Sequence, residues 1–222
     1  RVVAITGTNG KTTTTTLVGK LMKNYFDSVF VVGNIGNPYT EAAKEMVDET
    51  VTVAEISSFQ LETIEEFHPV VSAILNITPD HLNRHHTMEC YIETKEKIAL
   101  NQTKDDVCVL NYDDEVTRDF ADHCNASVLY FSRLHKLQKG VYLDGDTFVY
   151  SDGETATPIC KTTELRVLGG HNHENVMAAI AMAVSMKVPM EIIRKTVMEF
   201  TAVEHRIEFV TEKNGVDYYN DS

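Results

Sequence analysis

Short β-branched runs alternate with segments of helical period through the first half of this chain. Val2 to Ile5, Ser28 to Val32, Val51 to Ile56, Val70 to Ile77 and Val107 to Leu110 are apolar stretches of strand length. Near-continuous apolar runs, rather than alternating ones, mark strands covered on both faces in a parallel sheet. Thr12 to Tyr25, between the first two runs, predicts a helix despite its five consecutive threonines. Threonine is a poor helix former, but hydroxyls suit a first turn. Polar residues gather where the strands end: Gly33-Asn34-Ile35-Gly36-Asn37-Pro38, Glu55-Ile56-Ser57-Ser58, Thr78-Pro79-Asp80-His81 and Asn111-Tyr112-Asp113-Asp114. The carboxyl ends of parallel strands are where open sheets bind ligands.

From Ser127 to Val167 the pattern changes to short strands: 128–131, 141–143, 147–150 and 165–167, with Asp144-Gly145-Asp146 as a hairpin turn. This predicts a small antiparallel subsheet appended to the parallel one. Two helices follow, Asn175 to Met186 and Met190 to Phe200. A boundary is expected near Ala202 to His205, after which Phe209-Val210 and Val216 to Tyr219 read as strands opening another domain. The expected fold is α/β: a P-loop-type, mostly parallel sheet flanked by helices.

The 222 residues carry a net charge of −13. That balance argues against nucleic acid or an anionic membrane surface as partner. No apolar stretch is long enough to span a bilayer, so no membrane insertion is expected. Cys90, Cys108, Cys124 and Cys160 are far apart in sequence and form no C-x-x-C. Unpaired thiols in a reduced, cytoplasmic setting are the simplest reading.

Candidate chemistry starts at the first strand. Gly7 and Gly10 permit a tight turn whose amides point inward, Lys11 brings a compact positive charge, and Thr12 opens the helix with a hydroxyl. Together Gly7, Thr8, Asn9, Gly10, Lys11, Thr12 and Thr13 predict a cradle for a nucleoside triphosphate, with Thr12 on Mg²⁺. The expected first glycine of the usual phosphate-loop spacing falls on Ile5. Glu55 at a strand end can hold Mg²⁺ directly or through water; the alternative is a capping or surface glutamate. His81, beside Asp80 at a strand end, is a site candidate, whereas His85 and His86 read as a histidine-rich surface loop. Lys95 by itself reads as a solvated helix lysine. Asn172 and Asn175 share a helix face; their amides suit adenine or phosphate oxygens, or one of them merely caps the helix. Arg206 can reach phosphate oxygens or make an interdomain ion pair.

Taken in order, these motifs resemble the Mur ligase family of peptidoglycan synthesis. They are Thr6 to Thr12, Gly33 to Gly36, Glu55 to Glu62, Leu75 to Arg84, Gly169 to Asn175, His205 to Glu208 and Tyr218 to Ser222. The set is most similar to the branch that uses UDP-N-acetylmuramoyl-L-alanine and D-glutamate. The resemblance implies ATP-driven amide formation through an acyl phosphate, with two Mg²⁺ ions. It implies that Thr12 and Glu55 bind one ion, that His81 and Lys95 serve the second, and that Lys11 is catalytic. It further implies a carbamylated Lys95, with Tyr91 one turn before it. Asn34 and Ser57 would touch the muramoyl substrate. Asn172, Asn175, Arg206 and Asp221 would bind the nucleotide. Residues 1–204 would form the central ATP-binding domain and 205–222 the hinge and start of a C-terminal domain, with the uridine-nucleotide domain absent. A monomer is expected. The alternatives are another Mur-type ligase, a folylpolyglutamate synthetase, a P-loop kinase, or a nucleotide-binding domain without turnover.

Overall fold

The computed structural model describes residues 1–201, 208–213 and 216–220, with side chains through 201 and at Lys213. The first half runs β1 (Val2–Thr6), α1 (Lys11–Lys23), β2 (Val29–Gly33), α2 (Tyr39–Ala42), β3 (Val51–Glu55), α3 (Ser58–Leu61), β4 (Val71–Ile74), α4 (Leu82–His85), α5 (Met88–Glu96) and β5 (Val107–Asn111). It continues through α6 (Glu115–Phe120), β6 (Ser127–Ser132), β7 (Lys139–Asp144), β8 (Thr147–Asp152), β9 (Ala156–Lys161), α7 (Gly170–Ser185) and α8 (Met190–Glu199). The hairpin β10 (Glu208–Lys213) and β11 (Val216–Asn220) pairs antiparallel.

Nine strands form one sheet in the order β2-β3-β1-β4-β5-β6-β7-β8-β9. Strands β1 to β6 are parallel to their neighbours, as is the β6–β7 pair; β7, β8 and β9 are antiparallel. The α/β expectation is met, with three differences. Residues 128–131 belong to the parallel part, so the antiparallel strands extend the same sheet. Residues 165–167 pair with no strand among the described residues; Leu165 and Val167 are buried as plugs on the core. Their place in the sheet is taken by β9, whose Pro158 is tolerated on an edge strand.

Alternate residues of the central strands feed opposite cores. Val3 and Ile5 join Leu17, Leu21 and the run Val176 to Ala183 beneath α1, α7 and α8. Ala4 and Ala54 join Leu61, Tyr91, Ile98 and Phe120 on the other face. The alanines of α7 and Gly19 of α1 allow close packing; a Cβ on Gly19 would lie 2.5 Å from Val31 Cγ2. The threonine run is absorbed the same way. Thr13, Thr14 and Thr15 are buried within α1, and Thr16 Oγ1 donates to the Thr12 carbonyl at 2.8 Å. Strand β1 lies between β3 and β4, with the chain winding outward on either side. The crevice at its carboxyl end is therefore the topological switch point.

Candidate active site

The loop from Gly7 to Gly10 leaves β1 at that switch point and opens α1. Gly10 caps the helix at φ 84°, a left-handed conformation that disfavours any side chain. A Cβ there would also lie 2.1 Å from Asn175 Oδ1. The loop is fastened to the segment after β4. Asn76 Oδ1 accepts from the Asn9 amide at 2.9 Å, and Asn76 Nδ2 donates to the Asn9 carbonyl at 3.2 Å. Thr8 Oγ1 donates to the Thr78 carbonyl at 3.1 Å and accepts from the Thr78 amide at 3.0 Å. The Asn9 amide is thus occupied, as is the Thr8 amide, which donates to the Asn76 carbonyl at 2.9 Å, whereas the first amides of a helix have no intrahelical partner and can meet an anion. Lys11 Nζ bends back onto the carbonyls of Gly7 and Thr8, each at 3.0 Å. Thr12 is half-buried at the start of the helix and Thr13 is buried.

Glu55 ends β3 and is 1% exposed. Asn34 Nδ2 donates to Glu55 Oε1 at 3.0 Å, while Oε2 is buried with no hydrogen-bond partner. A buried carboxylate oxygen left unmatched is costly. A divalent cation would satisfy it, so the residues fit a metal ligand here. Gly33 lets Asn34 approach: a Cβ on Gly33 would lie 2.2 Å from the Glu55 carbonyl. Ser57 caps α3, its oxygen accepting from the Gln60 amide at 3.3 Å and its hydroxyl donating to Gln60 Oε1 at 2.9 Å. Among the described residues no three His, Cys, Asp or Glu side chains converge as a metal cage.

Lys95 is not a solvated helix lysine. It is 2% exposed, and its Nζ donates to the Gly7 carbonyl at 2.9 Å and sits 4.8 Å from the Tyr91 ring centre. Burial first, and the nearby Lys11 charge second, lower its pKa from 10.5 to about 7; Asp80 partly offsets them. Tyr91 OH bonds Thr8 Oγ1 at 3.2 Å, so α5 touches the phosphate loop through both residues. His81 begins α4 at φ 52°, exposed, its ring 5.1 Å from that of Phe59 and its Nε2 3.5 Å from Asp80 Oδ2. Lys11, Asn34, Ser57, Phe59, His81, Tyr91 and Lys95 line one pocket of about 280 Å³.

His85 is a correction to the expected surface loop. It is buried, with Nε2 3.0 Å from Ser58 Oγ and its ring stacked 5.8 Å from Phe59, and burial lowers its pKa. His86 is exposed. Asn175 is buried against Gly10 and accepts from Thr14 Oγ1 at 3.4 Å. Asn172 Oδ1 accepts from Asn175 Nδ2 at 3.4 Å, so the two amides lie together inside α7, which begins earlier than expected, at Gly170. They approach the loop from the side opposite Lys95. Arg206 and Asp221 lie outside the described residues. Sequence reasoning missed Asn76 as the clasp on Asn9; the available signal was a lone amide inside the apolar run from Val70 to Ile77.

The chain matches the family described as Mur ligase middle domain over residues 5–183. It is 58% identical over 222 residues to a UDP-N-acetylmuramoylalanine--D-glutamate ligase of Lachnoclostridium phytofermentans, covering 100% of this chain and 49% of that protein. A ligase of the same name from Clostridioides difficile is 53% identical over 220 residues, covering 99% and 49%. The chain thus spans about half the length of the curated relatives it matches. Among solved structures, MurF from Acinetobacter baumannii superposes with a TM-score of 0.78 at 20% identity, over 100% of this chain and 50% of that one. A UDP-N-acetylmuramoyl-L-alanyl-D-glutamate--2,6-diaminopimelate ligase gives 0.74 at 25% identity, over 96% and 49%. MurF ligase from Thermotoga maritima, solved in complex with ADP, gives 0.72 at 22% identity, over 100% and 53%.

Proposed function

The chain belongs to the Mur ligase family, and from that premise we propose that it is the ATP-binding part of a ligase joining D-glutamate to UDP-N-acetylmuramoyl-L-alanine. The observation that carries the reaction class is the convergence of Lys11 and the buried Lys95 on one pocket, with Glu55 beneath Asn34 at its wall. The choice of substrates rests on the identity with the D-glutamate ligases.

In this reading the L-alanyl carboxylate displaces ADP from the γ-phosphoryl group, and the amine of D-glutamate then displaces phosphate from the acyl phosphate. Such transfer depends on positioning and charge neutralisation more than on covalent help. Gly7 to Thr13 hold the triphosphate through the amides and dipole of α1. Lys11 leaves its loop carbonyls to meet the charge that develops on the phosphoryl group. Thr12 and Glu55 would hold one Mg²⁺, and His81 with Lys95 would serve a second; bound metal supplies charge neutralisation on phosphoryl oxygens. Asn34 orients Glu55 from the pocket wall, and with Ser57 it faces the muramoyl substrate. Asn172 and Asn175, joined by Arg206 and Asp221, hold the nucleotide from the other side. Residues 1–204 act as the ATP-binding domain and 205–222 lead into the next.

A pKa of about 7 leaves much of Lys95 as a neutral amine near neutral pH. A neutral amine can attack CO₂, forming an N–C bond and releasing a proton. The carbamate anion would then face Lys11 with attraction instead of repulsion. We expect the chain by itself to bind Mg·ATP weakly and not to ligate. The test is phosphate release by the full-length enzyme, with UDP-N-acetylmuramoyl-L-alanine present and single amino acids added in turn. Release with D-glutamate alone is expected; release with another amino acid assigns a sister ligase, and release with none refutes the ligase reading.

A further inference from the structure

His85 lies behind the pocket wall and joins the three helices that build it. It is the last residue of α4, 3% exposed, and it does not line the pocket itself. Its ring stacks on Phe59, with centres 5.8 Å apart and planes at 12°. The Tyr91 ring lies 5.1 Å away, tilted by 49°. Nε2 is 3.0 Å from the buried Ser58 Oγ, and Nδ1 faces Glu62 Oε1 at 3.8 Å. The carboxylate at Nδ1 assigns the ring proton to that nitrogen, which leaves Nε2 to accept from the Ser58 hydroxyl.

The backbone of His85 serves the same junction. Its amide donates to the His81 carbonyl at 3.1 Å, and its carbonyl accepts from the Thr87 amide at 2.8 Å. Thr87 in turn caps α5, its hydroxyl accepting from the Cys90 amide at 3.2 Å. Glu62 closes the cluster at the end of α3. Its carboxylate accepts from Arg84 Nη2 at 2.7 Å, and its carbonyl accepts from Lys97 Nζ, just after α5, at 3.2 Å. Helices α3, α4 and α5 therefore meet at one buried imidazole. They carry Ser57, Phe59, His81, Tyr91 and Lys95 into the pocket.

We propose that His85 is a positioning residue: its ring fills the space between Phe59 and Tyr91 and keeps Tyr91 against Lys95 and the phosphate loop. The consequence for turnover rests on the ligase reading; the placement of Tyr91 on Lys95 does not. Tyr91 OH bonds Thr8 Oγ1 at 3.2 Å, and its ring centre lies 4.8 Å from Lys95 Nζ, so a shift of that ring disturbs both contacts. Close-packed interiors transmit such shifts. Asn172 and Asn175 approach the loop from the opposite side, so nucleotide affinity should be spared.

Two variants separate the ring from its hydrogen bond. His85→Gln keeps a polar group toward Ser58 and removes the ring; His85→Phe keeps the ring and removes the polar partner. The first readout is NMR of the chain carrying ¹³C at the lysine ε carbons, in buffer freed of CO₂. The Lys95 resonance, identified by its loss in Lys95→Met, reports the Tyr91 ring through its ring current. It should move in His85→Gln and stay in His85→Phe. In the full-length enzyme His85→Gln should lower kcat about 10²-fold, the scale of a small misplacement near the reacting atoms, with KM for ATP changed far less. His85→Phe should restore most of that rate even though its melting temperature falls, because the Ser58 hydroxyl loses its buried partner. His86→Asn, at the exposed neighbour, should change neither readout. An unmoved Lys95 resonance in folded His85→Gln would overturn the proposal. So would rates that simply follow the melting temperature through both variants. Absence of D-glutamate-dependent release in the parent enzyme would count against the ligase reading alone, and the resonance would still decide the role of His85.

Discussion

The two ends of the sheet are built from similar strands yet treat their polar groups oppositely. At the β7–β9 end, turns and charges are satisfied locally at the surface. Gly145 turns the β7–β8 hairpin in open space, Lys136 pairs with Asp144 at 3.1 Å on the surface, and the Asp152 carboxylate accepts from the amides of Glu154 and Thr155. At the β3–β1–β4 end, a carboxylate oxygen is buried without a partner, a lysine is buried beside another lysine, and Gly10 presses its backbone against Asn175. Unfavourable placements of this kind persist where a ligand or a modification relieves them. The contrast coincides with the end of the sheet where the proposed site lies.

The comparison can be broken most sharply at Lys11. Lys11→Ala in the full-length enzyme is expected to lower kcat by about 10³-fold, the scale of losing a transition-state charge partner. The melting temperature should stay close to that of the parent. Loss of fold in place of loss of rate would mean the lysine is structural. The paired substitutions Gly10→Ala and Gly145→Ala sharpen the contrast in stability. Both positions have positive φ, 84° and 63°, but only Gly10 has a neighbour in the way. Gly10→Ala should cost roughly 2–3 kcal/mol and Gly145→Ala about 1 kcal/mol in denaturant unfolding. Equal losses would remove the argument from crowding.

Asn76→Ala deletes both contacts to Asn9 and should raise KM for ATP about tenfold, equivalent to about 1.4 kcal/mol. Steady-state kinetics should show kcat changed less than KM, because the clasp holds the loop and does not touch the reacting atoms. The smallest effect is expected at the quiet end. Lys136→Ala should leave both turnover and melting temperature within error, since an exposed ion pair is screened by water and salt.

Legibility followed the same divide. Strands β1 to β5 were readable because buried parallel strands are continuous apolar runs, and the phosphate loop because glycine, lysine and threonine fall in a chemically interpretable order. Strand β9 was not. Its Ala156, Thr157, Pro158 and Thr162 neighbourhood lacks the apolar signal, and edge placement is what tolerates the proline. Leu165 and Val167 misled because buried plugs and short strands share one composition. Lys95 carries no local signal of burial; only the resemblance distinguished it. His85 looked like surface among polar neighbours and is instead stacked beneath Phe59. Asn76 acts through a backbone contact about 67 residues distant in sequence, which no local pattern encodes.

Lys95 also makes the contrast visible in solution. Its pKa falls from 10.5 in the unfolded chain to about 7 in the fold. Between those values the unfolded chain binds the extra proton, so stability should rise with pH across that window. Below pH 7 the full penalty of the buried charge is present. Lys95→Met should flatten the slope.

The most direct test is the titration of Lys95 itself, read by NMR on the chain carrying ¹³C at the lysine ε carbons, in buffer freed of CO₂. One ε resonance should titrate near pH 7 and vanish in Lys95→Met, and added ¹³C-bicarbonate should yield a carbamate signal that depends on the same residue. Titration of every lysine near 10.5 would contradict the account, because the buried amine would then carry its charge in the fold as freely as it does in water.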